Sequence, residues 1–302
     1  MTDAIATAGL TKRWGKAYGI KDLTLEVPVG SVFGFLGANG AGKTTTIRML
    51  LGLTKPTAGR CWILGKEVPG GRQSVSRQIG ASLENPGFYP GMSAYDNLRV
   101  LAWTARDYEA ASRIDDLLLL LGLAKRAADK VGTFSFGMRQ RLALAAALLH
   151  DPKVLILDEP AKGLDPEGVH DVRRVIEERK AEGTTVFLSS HLLSEIERVC
   201  DAVAVVHRGA VIAQGSLSAL QGEGEVVVVV DDSEAATSFL QARSWSVRRD
   251  NLALRVGGAT AREVAAALAA QGIVPHELRT EARRLEDVFL ELTRDEPDSR
   301  EP

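Results

Sequence analysis

Residues 31–53 read SVFGFLGANGAGKTTTIRMLLGL. The first part is an apolar run with the phenylalanines of a buried strand. The last part spaces Ile47, Leu50 and Leu51 as one face of a helix. Between them, GANGAGKTT (37–45) sets Gly37, Gly42, Lys43 and Thr44 at G-x-x-x-x-G-K-[ST] spacing, and a strand before and a helix after is the context that gives this motif meaning. Its glycines let the backbone N–H groups of Gly37, Ala38, Asn39, Gly40, Ala41 and Gly42 turn inward on phosphate oxygens. The helix N-terminus, at Thr44 and Thr45, adds partial positive charge. In such a loop Lys43 bridges β- and γ-phosphates, and the Thr44 hydroxyl ligates Mg²⁺. The stretch predicts a triphosphate-binding strand–loop–helix.

Outward from it, residues ~5–215 alternate apolar strands with amphipathic helices, which predicts a parallel sheet covered on both faces. KVLILDEP (153–160) and TTVFLSS (184–190) read as strands, and PEGVHDVRRVIEERKAEG (166–183) as a helix. The first of these strands ends in two adjacent carboxylates. At the carboxyl edge of the sheet they enter the cleft of the phosphate loop, where Asp158 can hold the magnesium through water and Glu159 can polarise an attacking water. His191, at the end of the next strand, exits at the same edge as a candidate γ-phosphate contact. Residues ~92–150 are helical in pattern and interrupt the alternation as an inserted subdomain. From Ser216 the pattern becomes β-α-β-β-α-β, a small α+β domain over 216–294, followed by a charged tail over 295–302 that composition predicts to be disordered.

Apolar residues make up 45% and charged residues 25%, with a net charge of −2: a globular composition with no basic excess for nonspecific nucleic-acid binding. Cys61 and Cys200 lack metal-ligand spacing and read as reduced core thiols. The longest apolar runs, DDLLLLLGLAK and EVVVVVDD, fall far short of the ~20 residues that cross a bilayer. A role at a membrane would therefore run through a partner.

Taken together, these motifs resemble those of the ATP-binding-cassette (ABC) ATPases, over residues ~5–215 and in that family's order. The resemblance implies an α/β P-loop NTPase fold with an inserted helical subdomain, and Mg²⁺-dependent ATP hydrolysis. It gives three further segments a meaning. FSFGM (134–138) is similar to the family signature, usually Leu-Ser-Gly-Gly-Gln, and keeps Ser135 and Gly137. AKGLDP (161–166) is similar to the D-loop, with Asp165 as its aspartate. Trp14, in LTKRWGK, stands where the family has an aromatic that stacks on adenine.

Two departures stand out. Glu84, in LENPGFYPGMSAYDNL, replaces the usual glutamine, as in the bacitracin-type exporter ATPases, which this version resembles. It either reaches Mg²⁺ or the attacking water or serves the fold alone. Phe136 and Met138 replace a glycine and a glutamine of the signature, and Phe134 and Phe136 are expected to pack against the helical insert. Ser135 is either a contact to the nucleotide of a second chain or an N-cap of the helix that follows.

The resemblance further implies two nucleotide-binding chains closing on ATP, most simply two copies. It also implies a separate transmembrane permease that docks near Pro86–Asn97 and holds the chain at the cytoplasmic face of the membrane. On that reading the chain powers export of a drug, antibiotic, peptide or lipid and does not act directly on nucleic acid. Intact Lys43, Asp158 and Glu159 argue against a non-catalytic regulator.

Overall fold

The computed structural model describes residues 3–15, 17–71, 75–84, 86–222 and 224–294. The charged tail expected to be disordered lies outside the described residues. The chain divides into two compact units, Met1–Ser216 and Leu217–Pro302, one residue later than the sequence boundary.

The first unit is built on a six-stranded sheet of β3 (Val32–Leu36), β6 (Ile79–Ser82), β7 (Val154–Asp158), β8 (Thr185–Ser190), β9 (Ala202–His207) and β10 (Ala210–Ser216). They lie in the order β10-β9-β3-β8-β7-β6. All neighbours are parallel except β9 and β10. Every residue of β3, β7 and β8 is buried, the pattern of parallel strands covered on both faces. Phe33 and Phe187 face each other in register and stack with ring centroids 5.9 Å apart, and Phe35 leans on the same ring at 5.5 Å. These rings tie the central strand to its neighbour.

A second sheet was not anticipated. The strands β1 (Asp3–Trp14), β2 (Ala17–Pro28), β4 (Ala58–Ile63) and β5 (Lys66–Val68) form an antiparallel sheet of order β2-β1-β4-β5. Pairing of β1 with β2 shifts register at four places, so a strict period of two is lost just where sequence reading would look for it.

The helix α1 (Lys43–Leu50) leaves the phosphate loop. The helical segment contains α2 (Ala94–Thr104), α3 (Tyr108–Ser112), α4 (Ile114–Leu120) and α5 (Phe136–Leu148). Ser93 caps α2 by accepting from the Asp96 amide at 2.9 Å. Asn97 then fastens the preceding loop: it accepts from the Tyr89 amide at 2.8 Å and donates to the Tyr89 and Ser93 carbonyls. Tyr89 itself stays exposed. Two further helices, α6 (Pro166–Ala181) and α7 (Leu193–Val199), complete the unit.

The second unit runs α8 (Leu217–Gln221), β11 (Glu225–Val229), α9 (Ser233–Gln241), β12 (Ser246–Asp250), β13 (Ala253–Gly257), α10 (Ala261–Ala270), β14 (Glu277–Glu281) and α11 (Leu285–Arg294). Its sheet is antiparallel, in order β12-β13-β11-β14. Val226, Val228, Leu254 and Val256 from the sheet pack with Ala236, Leu240, Val264 and Leu268 from α9 and α10 as a separate small core.

Candidate functional site

The phosphate loop connects the end of β3 to α1 through a residue that only glycine tolerates. Gly42 sits at the N-cap of α1 with φ 108°. A Cβ there would lie 2.2 Å from the Gly19 carbonyl oxygen. Beyond it opens a cleft of about 380 Å³, lined by Trp14, Gly19, Asn39, Gly40, Gly42, Lys43, Thr44, Thr45, Glu84, Glu159 and Lys162. Gly37, Ala38 and Ala41 form the floor of the loop: the Lys43 ammonium donates to the Gly37 and Ala38 carbonyls at 2.6 and 3.3 Å, and Ala41 is buried.

The acidic pair arrives on β7. Asp158 is fully buried, and its Oδ1 accepts from the Ser189 hydroxyl at 2.6 Å. Its Oδ2 is buried with no hydrogen-bond partner among the described residues. Leaving such an oxygen unmatched is costly, and it is a donor suited to a hard cation. Glu159 follows with a left-handed φ of 53°, uncommon for a residue with a side chain. Its amide donates to the carbonyl and hydroxyl of Ser189, at 3.2 and 3.1 Å. Its carboxylate lies between two partners: Oε1 is 3.1 Å from Lys43 Nζ, and Oε2 is 2.6 Å from His191 Nδ1. The structure thus brings Lys43, Asp158, Glu159 and His191 together at one sheet edge.

Trp14 lines the same cleft, more than half exposed, with the Lys12 ammonium 4.4 Å from its ring centroid. Glu84 is engaged by Lys162, whose Nζ lies 2.5 Å from Glu84 Oε1. The hydrogen bond and charge of Glu84 hold the Lys162 ammonium above its ordinary pKa, with smaller help from Glu159 and Asp158.

Ser135, Gly137 and Asp165 do not line this cleft. Ser135 is exposed and caps α5, its oxygen accepting from the Met138 amide at 3.2 Å. Asp165 caps α6, accepting from the Gly168 amide at 2.9 Å, and meets Arg141 at 3.3 Å. The two segments lean on each other. A Cβ at Gly163 would stand 2.8 Å from the Phe136 ring, and one at Gly137 would be 3.3 Å from Leu164. Phe136 therefore stands against the 161–166 loop. Phe134 is buried with Arg126 over its ring.

Three residues escaped sequence reading. Lys162 completes the cleft, Ser189 orients both carboxylate residues, and the buried Gln140 donates to the Glu159 carbonyl at 3.4 Å from within α5. Gln140, flanked by Arg139 and Arg141, and Ser189, followed by Ser190, gave no distinctive signal. Lys162 gave none, because its partner is 78 residues away.

Comparison with known proteins shows the family. The family model described as "ABC transporter" matches residues 20–162. The bacitracin transport ATP-binding protein BcrA of Bacillus licheniformis is 45% identical over 215 residues, 71% of this chain and 70% of that protein. The protein of the same name from Enterococcus faecalis is 33% identical over 299 residues, 97% of both chains. A solved ATP-binding subunit of an ABC transporter is 32% identical, superposes with a TM-score of 0.67, and covers 72% of this chain and 92% of its own. A phosphate loop, a paired carboxylate and a histidine on one sheet edge, in a chain with these relatives, place it in the ABC transporter family as an ATP-binding, ATP-hydrolysing subunit.

Proposed function

We propose that this chain hydrolyses Mg²⁺-bound ATP to drive export of an antibiotic, drug, peptide or lipid through a separate transmembrane subunit. The observation that carries the chemistry is the Glu159 carboxylate, buried between Lys43 and His191 at the mouth of the phosphate loop. The loop amides and Lys43 hold the terminal phosphates in line with that carboxylate. Glu159 orients the attacking water and takes its proton as the water oxygen bonds to the γ-phosphorus and the bond to the β–γ bridging oxygen breaks, leaving ADP and phosphate. His191, hydrogen-bonded to Glu159 through Nδ1, keeps the carboxylate aimed and turns its other nitrogen to the γ-phosphate.

The buried, unmatched Oδ2 of Asp158 fits a magnesium site, with the Thr44 hydroxyl of the cleft as a second protein oxygen, while the Glu84 carboxylate is taken up by Lys162. Among the described residues no cluster of three His, Cys, Asp or Glu could hold a metal alone. Mg²⁺ takes one or two protein oxygens and completes its shell with water and phosphate. When bound, the metal would spread the charge of the two terminal phosphates. Trp14 offers the ring face opposite Lys12 to the adenine.

Ser135, Gly137 and Asp165 lie off the chain's own cleft, which supports a second copy presenting its signature to this nucleotide. The cap at Ser135 uses an acceptor lone pair and leaves the O–H free to donate. No helix among the described residues is long and apolar enough to cross a membrane. The exposed Tyr89, on a loop fastened by Asn97, gives a permease a firm place to dock and hold the chain at the cytoplasmic face. Export of an antibiotic-like cargo follows from likeness to the bacitracin transport proteins.

The test is Glu159→Gln. Turnover should fall by at least ~10²-fold, the lower end for a positioned general base, while binding of a fluorescent ATP analogue persists because the phosphate loop is untouched. Hydrolysis close to the wild-type rate would remove Glu159 from the mechanism.

A further inference from the structure

The cleft holds a cation that the mechanism above does not use. Lys162 follows Glu159 by three residues, and its amide donates to the Glu159 carbonyl at 3.1 Å. That tight turn, entered through the left-handed Glu159, folds the chain back over the end of β7. Glu84 leaves the neighbouring strand β6, which pairs in parallel with β7 so that Ser82 stands beside Leu157. The register delivers both residues to the same edge of the sheet, where Lys162 Nζ meets Glu84 Oε1 at 2.5 Å.

The charges around the cleft make the pair more than decoration. Its lining carries two lysines, Lys43 and Lys162, and two glutamates, Glu84 and Glu159. Lys43 answers Glu159, and Lys162 answers Glu84. Asp158 adds one more negative charge beneath, and His191 stands beside Glu159. Without Lys162 the phosphate end of the cleft would present an unmatched carboxylate to a polyphosphate. The pair is also partly open to solvent, with side chains 42% and 35% exposed. Surface pairs of this kind contribute little to stability, so the fold does not account for it.

We propose that Lys162 is a nucleotide-site cation that works as one unit with Glu84. It neutralises the carboxylate this chain carries at position 84 and keeps the cleft receptive to metal-bound triphosphate. The inference rests on the cleft being the ATP site.

Five full-length proteins decide it: wild type, K162Q, K162R, E84Q and the K162Q/E84Q double variant. Each is titrated with a fluorescent ATP analogue in Mg²⁺ and again in chelator, and melted without nucleotide. K162Q should weaken binding of the analogue in Mg²⁺ by roughly tenfold, what solvent leaves of the Coulomb effect at a half-exposed pair. The double variant should recover to within about twofold of wild type, because charges acting as a unit are not additive. K162R should bind like wild type. E84Q alone should bind the analogue more tightly in chelator, since its lysine then faces the phosphates unpaired. Melting temperatures should stay together. The proposal is overturned if K162Q binds as well as wild type, if the double variant is as weak as K162Q, or if the binding loss follows a fall in melting temperature that K162R shares. A wild-type protein that binds no analogue while Lys43→Ala behaves identically would instead overturn the site reading beneath it.

Discussion

Gly42 joins two demands at one residue: a left-handed backbone at the start of α1 and a carbonyl oxygen where a side chain would begin. The backbone conformation alone would cost about 1–3 kcal/mol for an alanine, and moving the Gly19 carbonyl also disturbs the strand that carries it. Gly42→Ala should therefore lose roughly 2–4 kcal/mol of stability in urea unfolding and bind no ATP analogue. A stable Gly42→Ala protein would mean that the loop relaxes without cost. Single residues were legible in the sequence where their spacing is local. The phosphate loop spans nine positions, 37–45, and its chemistry follows from that spacing alone. Lys162 and Ser189 were not legible, because each acts on a partner brought by another strand. No local pattern records which strands become neighbours.

Among the elements, α5 is the one whose beginning matters most. Ser135 caps it, Phe136 rests on the 161–166 loop, and Gln140 reaches the Glu159 carbonyl one turn further along. Ser135→Ala should cost about 1 kcal/mol of stability, the loss of one N-cap, and leave the ATP affinity of a single chain unchanged. A cross-chain role predicts more. In Glu159→Gln protein, ATP should drive two copies together on sizing chromatography, and adding Ser135→Arg should abolish that pairing. Pairing that survives the second substitution would leave the serine as a cap only. Elements were legible where burial is uniform, as in β7 and β8, whose residues are all buried. The antiparallel sheet of β1, β2, β4 and β5 was missed because bulges displace its alternation. Its strands bury one face with the wrong residues in step.

At the scale of the whole molecule, every group that lines the cleft at the phosphate loop precedes residue 216, where the first unit ends. The second unit has its own sheet and core. A protein ending at Ser216 should fold and bind the ATP analogue within about threefold of the full chain, well inside one decade of affinity. A folded truncation without binding would make the second unit part of the nucleotide site. The strand that launches the phosphate loop has a neighbour on each side, β8 and β9, both parallel to it. Its amides can exchange with deuterium only when the sheet itself comes apart, so they should be among the slowest in the chain. The edge strand β10 and the loop around Tyr89 can open without it. The platform under the phosphates thus lasts as long as the folded state does, and any slackening that lets nucleotide go belongs to the loops around it.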